Sequence, residues 1–299
     1  MNQRNSMLLL AFEDEAMLAR ELAEALGLPL AFISRHRFPD GELRLVLPKP
    51  LPERVLLLRG LQQPNEKLVE LLITAPAARE YGARQLLLVA PYLAYMRQDM
   101  EFTPGEAVSQ RHIARLLAAH FDRVLTIDPH LHRIASLDEV MPPGTGLALS
   151  AAPVLGEWIA AQVPGAVLIG PDEESAQWVS EAARAGSLDH AVGRKVRHGD
   201  HQVVLALPEV DVNGRAVVLL DDMASTGRTL IGSAQELLAR GAASVDVAVT
   251  HALFNGDALP ALKAAGVRHV WSSNAVPHES NAVSVVPLLV KALKPLLAT

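Results

Sequence analysis

The sequence predicts an α/β protein made of two similar domains. Each has a parallel-type sheet flanked by helices, and a hairpin projects from the first. Three observations carry this expectation. Short apolar runs bounded by turn residues alternate with stretches of helical period, the pattern of strands joined by crossover helices. That alternation runs twice, separated by a Pro/Gly stretch at residues 141–146. Half of the 299 residues are hydrophobic and only 4% aromatic, so the core is ample and built mostly of Ala, Leu and Val.

Residues 7–12 form the first apolar run, cut short by Glu13; the run is too short for an export signal and reads as a strand. Asp40-Gly41 is a turn between Phe38 and the alternating Leu43, Leu45 and Leu47, which makes the hairpin. Runs 55–58, 85–90 and 124–127 read as buried strands. Leu68, Leu71, Leu72 and Ala75 share one helical face; Pro76 is expected to kink that helix near its middle and Gly82 to stop it. Residues 140–156 are uncharged, but Pro142, Pro143 and Pro153 exclude a membrane-spanning helix. The boundary is placed there, giving domains 1–143 and 144–299. In the second domain, 167–170, 216–220 and 245–250 are strands, and Leu230, Ala234, Leu237 and Leu238 line a helix stopped by Gly241. Residues 191–197 read as one strand that puts Lys195 and Arg197 on the same side. Residues 286–297 form a C-terminal helix expected to pack back onto the first domain.

Charge narrows the function. Lys and Arg total 27 against 33 Asp and Glu, a net charge of −6, which excludes the basic footprint of non-specific nucleic-acid binding. An anionic ligand must then be held by local charge and backbone amides. With no cysteine, disulfides, thiolate metal sites and cysteine catalysis are excluded. No membrane partner is expected, and the chain reads as soluble and cytoplasmic.

The sharpest signal is the segment from Val217 to Leu230. An apolar strand runs into Asp221-Asp222, then Met223, Ala224, Ser225, Thr226, Gly227, Arg228 and Thr229, and then a helix. Loop amides and a helix N-terminus make an anion cradle, to which Ser225, Thr226 and Thr229 add hydroxyls. The two carboxylates can accept hydrogen bonds from sugar hydroxyls, so one loop could hold a sugar phosphate at both ends. The plainer reading is a strand–loop–helix with Ser225 or Thr226 as cap.

These residues resemble the phosphoribosyl-diphosphate motif of the type I phosphoribosyltransferase fold. Other segments narrow the resemblance to the ribose-phosphate diphosphokinase (PRPP synthetase) family, in the right order over about residues 35 to 255. They are Phe38-Pro39-Asp40-Gly41-Glu42, the run from Pro91 to Asp99, Asp128-Pro129-His130, Pro153 to Glu157, and Thr250-His251. The resemblance implies transfer of the β,γ-diphosphoryl group of ATP to the 1-hydroxyl of ribose 5-phosphate, forming PRPP and AMP for nucleotide biosynthesis. It assigns Phe38, Asp40, Gly41 and Glu42, with Arg97, Gln98 and Asp99, to ATP, the hairpin reaching across a subunit interface of a homo-oligomer. It assigns Asp221, Asp222, Ser225, Thr226, Gly227, Arg228 and Thr229 to ribose 5-phosphate. His130 and Asp172 are assigned to the Mg²⁺ that accompanies ATP, and Lys195 and Arg197 to catalysis from a loop closing over the phosphates. The site is expected in a cleft between the domains.

Read alone, several segments have other meanings. Arg97 could pair with Asp99 or Glu101, Asp40-Gly41 is an ordinary turn, and Lys195 with Arg197 is a solvated basic tip. The chain also departs from the family pattern. Ser225 stands where many members have a third acid, and Arg228 where Gly or Ala is common. Glu173-Glu174-Ser175 follows Asp172 where Gly-Gly is frequent, and two carboxylates there repel a polyphosphate unless they face solvent. The alternatives are a transferase acting on another pentose phosphate or a non-catalytic regulatory homologue.

Overall fold

A computed structural model describes residues 7–198, 202–206 and 210–298, apart from the side chains of 195–206 and 298. Its contacts divide the chain into two compact units, Met1–Leu149 with Val286–Thr299, and Ser150–Val285.

The first unit carries strands β1 (Met7–Phe12), β2 (Leu30–Arg37), β3 (Leu43–Val46), β4 (Arg54–Leu58), β5 (Gln85–Ala90), β6 (Arg123–Ile127) and β7 (Gly146–Leu149). They form one sheet of order β3-β2-β1-β4-β5-β6-β7, parallel except for the antiparallel β2–β3 hairpin. Val55, Leu56, Leu57 and Leu58 are all fully buried; a parallel strand covered on both faces has no polar side, hence the unbroken apolar run. Between the strands run α1 (Ala16–Leu26), α2 (Pro64–Glu80) and α3 (Ser109–His120). α1 buries Leu18, Ala19, Leu22 and Ala23 on one face and ends at Gly27, whose φ of 66° supplies the left-handed cap.

The second unit carries α4 (Ala152–Gln162), β8 (Val167–Gly170), α5 (Ala176–Gly186), β9 (Asp189–Val192), β10 (Arg194–His198), β11 (Gln202–Ala206), β12 (Ala216–Ala224), α6 (Arg228–Ala239), β13 (Ser244–Ala252), α7 (Ala258–Ala264), β14 (Val267–Ser273) and β15 (Asn281–Val283). Its main sheet has the order β15-β14-β13-β12-β8-β9 and is parallel throughout; β10 and β11 make a separate antiparallel hairpin. Val217, Leu219, Leu230, Ala234, Leu237, Val245 and Val247 belong to its core. The chain then returns to the first unit as α8 (Val286–Ala298), which packs on α1. Set side by side, β2-β1-β4-β5-β6-β7 and β9-β8-β12-β13-β14-β15 are the same winding. The repeated rhythm of the sequence is therefore a repeated topology.

Local expectations meet three differences. The Pro/Gly stretch at 141–146 is not all connection: Gly146 starts β7, which pairs with β6, so the units divide after Leu149 where the sequence placed the boundary after Pro143. Pro76 lies near the C-terminal end of α2, and the helix continues through it to Glu80. The strand expected over 191–197 is broken at Gly193, whose N–H donates to Gly170 O at 2.9 Å. A side chain at Gly193 would place Cβ 2.5 Å from Pro171 O, so only glycine lets β9 end against the turn that follows β8.

Candidate active site

In an open parallel sheet, ligands gather beyond the carboxyl ends of the strands, where the direction of winding reverses. In the second unit that point lies between β8 and β12, because β9 is added outside β8 and β13 to β15 outside β12. Asp172 follows β8, and Asp221 and Asp222 stand near the end of β12. The strand runs further than the sequence suggested, through the acidic pair to Ala224, because β13 extends beside it and pairs Met223 with His251 and Ala224 with Ala252. Burial first, then the neighbouring carboxylates of Asp222 and Asp172, hold the pKa of Asp221 well above the usual carboxylate range. The three acids therefore share one electrostatic environment.

Between β12 and α6 lie only Ser225, Thr226 and Gly227. Gly227 takes the left-handed conformation (φ 68°, ψ 2°), and no side chain caps the helix. The cap reading for Ser225 or Thr226 is thus not what the chain adopts. The first amides of α6 face out uncapped beside exposed Thr226, Arg228 and Thr229. Arg228 needs no left-handed backbone, since Gly227 supplies it. Ser225 is braced from the segment after β13: Asn255 Nδ2 donates to its Oγ at 3.2 Å, and Asn255 N to its carbonyl at 3.1 Å. Asp172 Oδ1 accepts from Glu174 N at 3.0 Å, turning the chain so that Glu173 and Glu174 are exposed. Glu173 lies 4.0 Å from Arg194 Nε, so the two extra carboxylates face solvent.

Lys195 and Arg197 fall on β10, paired in register with Leu205 and Val203 of β11. Their side chains lie outside the described residues.

The remaining predicted residues belong to the first unit. Phe38 to Glu42 form the tip of the β2–β3 hairpin. Gly41 N donates to Phe38 O at 2.9 Å with Gly41 at φ 95°, and Glu42 N donates to Asp40 Oδ1 at 3.1 Å. Phe38 is 38% exposed and packs edge-on against His36. Arg97, Gln98 and Asp99 lie between β5 and α3. Arg97 is exposed, Gln98 Nε2 donates to Glu106 Oε2 at 3.0 Å, and Asp99 is buried against Arg133. Asp128 follows β6 with φ 37°, and Ile127 N donates to Pro91 O at 3.2 Å, so the segments after β5 and β6 are neighbours. His130 packs against His132, ring centroids 3.7 Å apart and Nε2 atoms in contact; the sequence singled out the first but not the second. His130 and Asp172 belong to different units.

The first unit's own winding reversal, between β1 and β4, is filled from within. Arg59 is fully buried, its Nη1 donating to both oxygens of Asp14 at 2.9 Å, with Glu70 Oε2 2.5 Å from Nη2 and the Phe12 ring 4.4 Å from the guanidinium carbon. Glu15 Oε1 accepts from Gly60 N at 2.6 Å, and Lys67 Nζ donates to Gly60 O at 2.9 Å. Burial, opposed by Arg59 and Lys67, raises Glu15 to about 7. Here cations meet acids inside the fold, where the second unit offers carboxylates and bare amides. The sequence reading missed this cluster, since Asp14 and Arg59 are 45 positions apart.

Known proteins share both sequence and fold with this chain. Residues 7–120 match the N-terminal domain of ribose phosphate pyrophosphokinase, and residues 202–293 the phosphoribosyl synthetase-associated domain. A ribose-phosphate pyrophosphokinase of Methanopyrus kandleri is 37% identical over 96% of this chain and 99% of its own. One from Methanosarcina acetivorans is 35% identical over 93% of this chain and 96% of its own. The crystal structure of phosphoribosylpyrophosphate synthetase from Mycobacterium smegmatis superimposes with a TM-score of 0.83 at 25% identity, covering 98% of this chain and 99% of that one.

Proposed function

The chain belongs to the ribose-phosphate pyrophosphokinase family, and we propose that it performs the reaction of that name, making PRPP and AMP from ribose 5-phosphate and ATP. The 1-hydroxyl oxygen of the sugar forms a bond to the β-phosphorus of ATP. The bond from that phosphorus to the α,β-bridging oxygen breaks, AMP leaves with the electron pair, and the hydroxyl proton is released. Positioning and charge neutralisation supply most of the catalysis in such transfers.

The observation that carries the reading is the end of β12, where an acidic pair is followed by a short turn and an uncapped helix. The α6 amides with Ser225, Thr226 and Thr229 hold the 5-phosphate, and Asp221 and Asp222 accept from the ribose hydroxyls. Arg228 adds charge at the rim. Arg97 meets the polyphosphate and Gln98 a base edge, while Lys195 and Arg197 neutralise charge on the transferred group.

The donor set at this sheet end suits Mg²⁺. Asp172, Asp221 and Asp222 offer carboxylate oxygens, and Asp221, whose pKa is raised first by burial and then by its two acidic neighbours, is a carboxyl that a bound cation would help to ionise. Among the described residues no group of three or more His, Asp or Glu side chains is placed to hold a metal by itself. An ion held there would take one or two of these carboxylates and complete its shell with waters and substrate phosphates. Asp172 would hold it, and the family resemblance assigns His130 to the same ion through water or phosphate. Mg²⁺ supplies charge neutralisation on the phosphate oxygens.

The exposed hairpin tip supports a homo-oligomer in which Phe38, Asp40, Gly41 and Glu42 serve the ATP site of a second copy. Among the described residues no helix is long and apolar enough to cross a membrane.

The test is AMP release from ATP with and without ribose 5-phosphate, with the product identified by phosphorus NMR. Acceptor-dependent AMP and a diphosphorylated anomeric carbon are expected. Release of ADP, or AMP formed without acceptor, would contradict the reading.

A further inference from the structure

We propose that Arg133 is a positioning residue that clamps the segment bearing Arg97 and Gln98 to the segment bearing His130. This inference rests on the assignment of those residues to ATP given above. Arg133 Nη1 donates to Asp99 Oδ1 at 2.7 Å, and its guanidinium carbon lies 5.3 Å from the Phe102 ring centroid. One side chain from the connection after β6 thus grips the connection after β5 at a carboxylate and at a ring. A planar guanidinium can do both at once, because its edge donates while its face stacks.

Burial gives this contact its weight. The Asp99 side chain is 2% exposed and that of Arg133 is 49% exposed. Asp99 Oδ2 has no hydrogen-bond partner among the described residues. The carboxylate is therefore withdrawn from water and satisfied from one side, where a charge-assisted bond is strong and directional. Asp99 directly follows Gln98, so turning its carboxylate inward fixes where Arg97 and Gln98 leave the fold. Asp99 then orients the two residues before it, which on the reading above meet the nucleotide.

The segment is also tied at Gln110, whose Nε2 donates to Met96 O at 3.3 Å and whose backbone N–H donates to Gln98 O at 3.2 Å, and at Ile127, whose N–H reaches Pro91 O. All three bonds end on backbone carbonyls, one on that of Gln98 and the others ahead of Arg97. Arg133 acts beyond it, on the side chain next to Gln98, from a position three residues after His130. Sequence gave no sign of the pair, since 34 positions separate its members.

Steady-state kinetics on the full chain test the clamp. Arg133→Met keeps the stem and removes the charge. It should raise KM for ATP about tenfold, the equivalent of about 1.4 kcal/mol, while KM for ribose 5-phosphate stays at its wild-type value. Arg133→Lys should recover part of the loss. Arg133→Met added to Asp99→Asn should cost little more than Asp99→Asn alone, because the two side chains act as one unit. Gln98→Ala separates this inference from the reading beneath it. If Gln98→Ala raises KM for ATP and Arg133→Met does not, the clamp is overturned and the ATP assignment stands. If neither variant moves it, the ATP assignment fails and the clamp with it. A loss by Arg133→Met shared equally between both substrates, with a fall in Tm, marks a general contribution to folding and overturns the positioning role.

Discussion

Glu15 is 5% exposed and sits 3.7 Å from Arg59 and 3.8 Å from Lys67, yet it keeps its proton to about pH 7. Two cations at that distance do not offset removal from water, and the nearby charge of Asp14 adds to the shift. The pKa is raised from 4.5 on folding, so the folded state binds this proton more tightly than the unfolded chain does. The stabilisation is fully present below pH 4.5 and is lost as the pH rises through about 7. Glu15→Gln retains the acceptor for Gly60 N and cannot ionise. Urea denaturation should find the variant more stable than wild type at pH 8.5, by on the order of 3 kcal/mol, and close to it at pH 5. Parallel profiles at the two pH values would show that Glu15 ionises normally. Lys195 poses a different question at the same scale. Lys195→Ala should lower kcat by about a thousandfold, the effect of losing a cation that acts on transferring phosphate, and leave ribose 5-phosphate binding by calorimetry intact. Near-normal turnover would remove Lys195 from the reaction.

Among the elements, α4 and α5 cross so closely at Gly156 that an added Cβ would lie 2.0 Å from Ala182 O. The obstacle is backbone and cannot swing aside. Gly156→Ala should therefore cost at least about 1–3 kcal/mol and lower the urea midpoint. Gly232 in α6 is exposed, with nothing within 4 Å of an added Cβ; Gly232→Ala should instead stabilise by about 0.5–1 kcal/mol. Equal effects of the two substitutions would contradict the close crossing. The same contrast between local and distant causes decides what could be read from sequence. β4, β5 and β12 were legible because central parallel strands carry continuous apolar runs. β2 was not, since its second half, Ser34 to Arg37, is exposed and polar in the hairpin; β7 hid inside a Pro/Gly stretch, and β15 is only Asn281–Val283. In the site, Asp221 through Thr229 were legible because the strand end, turn and helix start are contiguous. Asn255 was not, because it meets Ser225 across 30 positions, a proximity that only the pairing of β12 with β13 creates.

At the scale of the whole chain, one winding is used twice, but the chain does not split into two consecutive halves. α8 leaves the second unit and completes the first. Leu289 and Leu293 are fully buried, and Arg54, at the start of β4, donates from Nη1 to Leu297 O at 3.0 Å and from Nη2 to Leu296 O at 2.6 Å. A cation at the carbonyl end of a helix satisfies acceptors that have no partner within the helix and complements its dipole. The last helix is thus tied by apolar burial and by a charged cap to the strand at the middle of the first sheet. Leu293→Ala should destabilise by about 2–5 kcal/mol, the usual cost of a cavity in a packed core. Where that loss falls is the sharper prediction. Hydrogen exchange should quicken in β1, α1 and β4, more than 200 positions before the substitution, while β12 and β13, much nearer in sequence, keep their protection. Quickening confined to residues 150–285 would place α8 with the second unit and undo this account of how the chain is threaded.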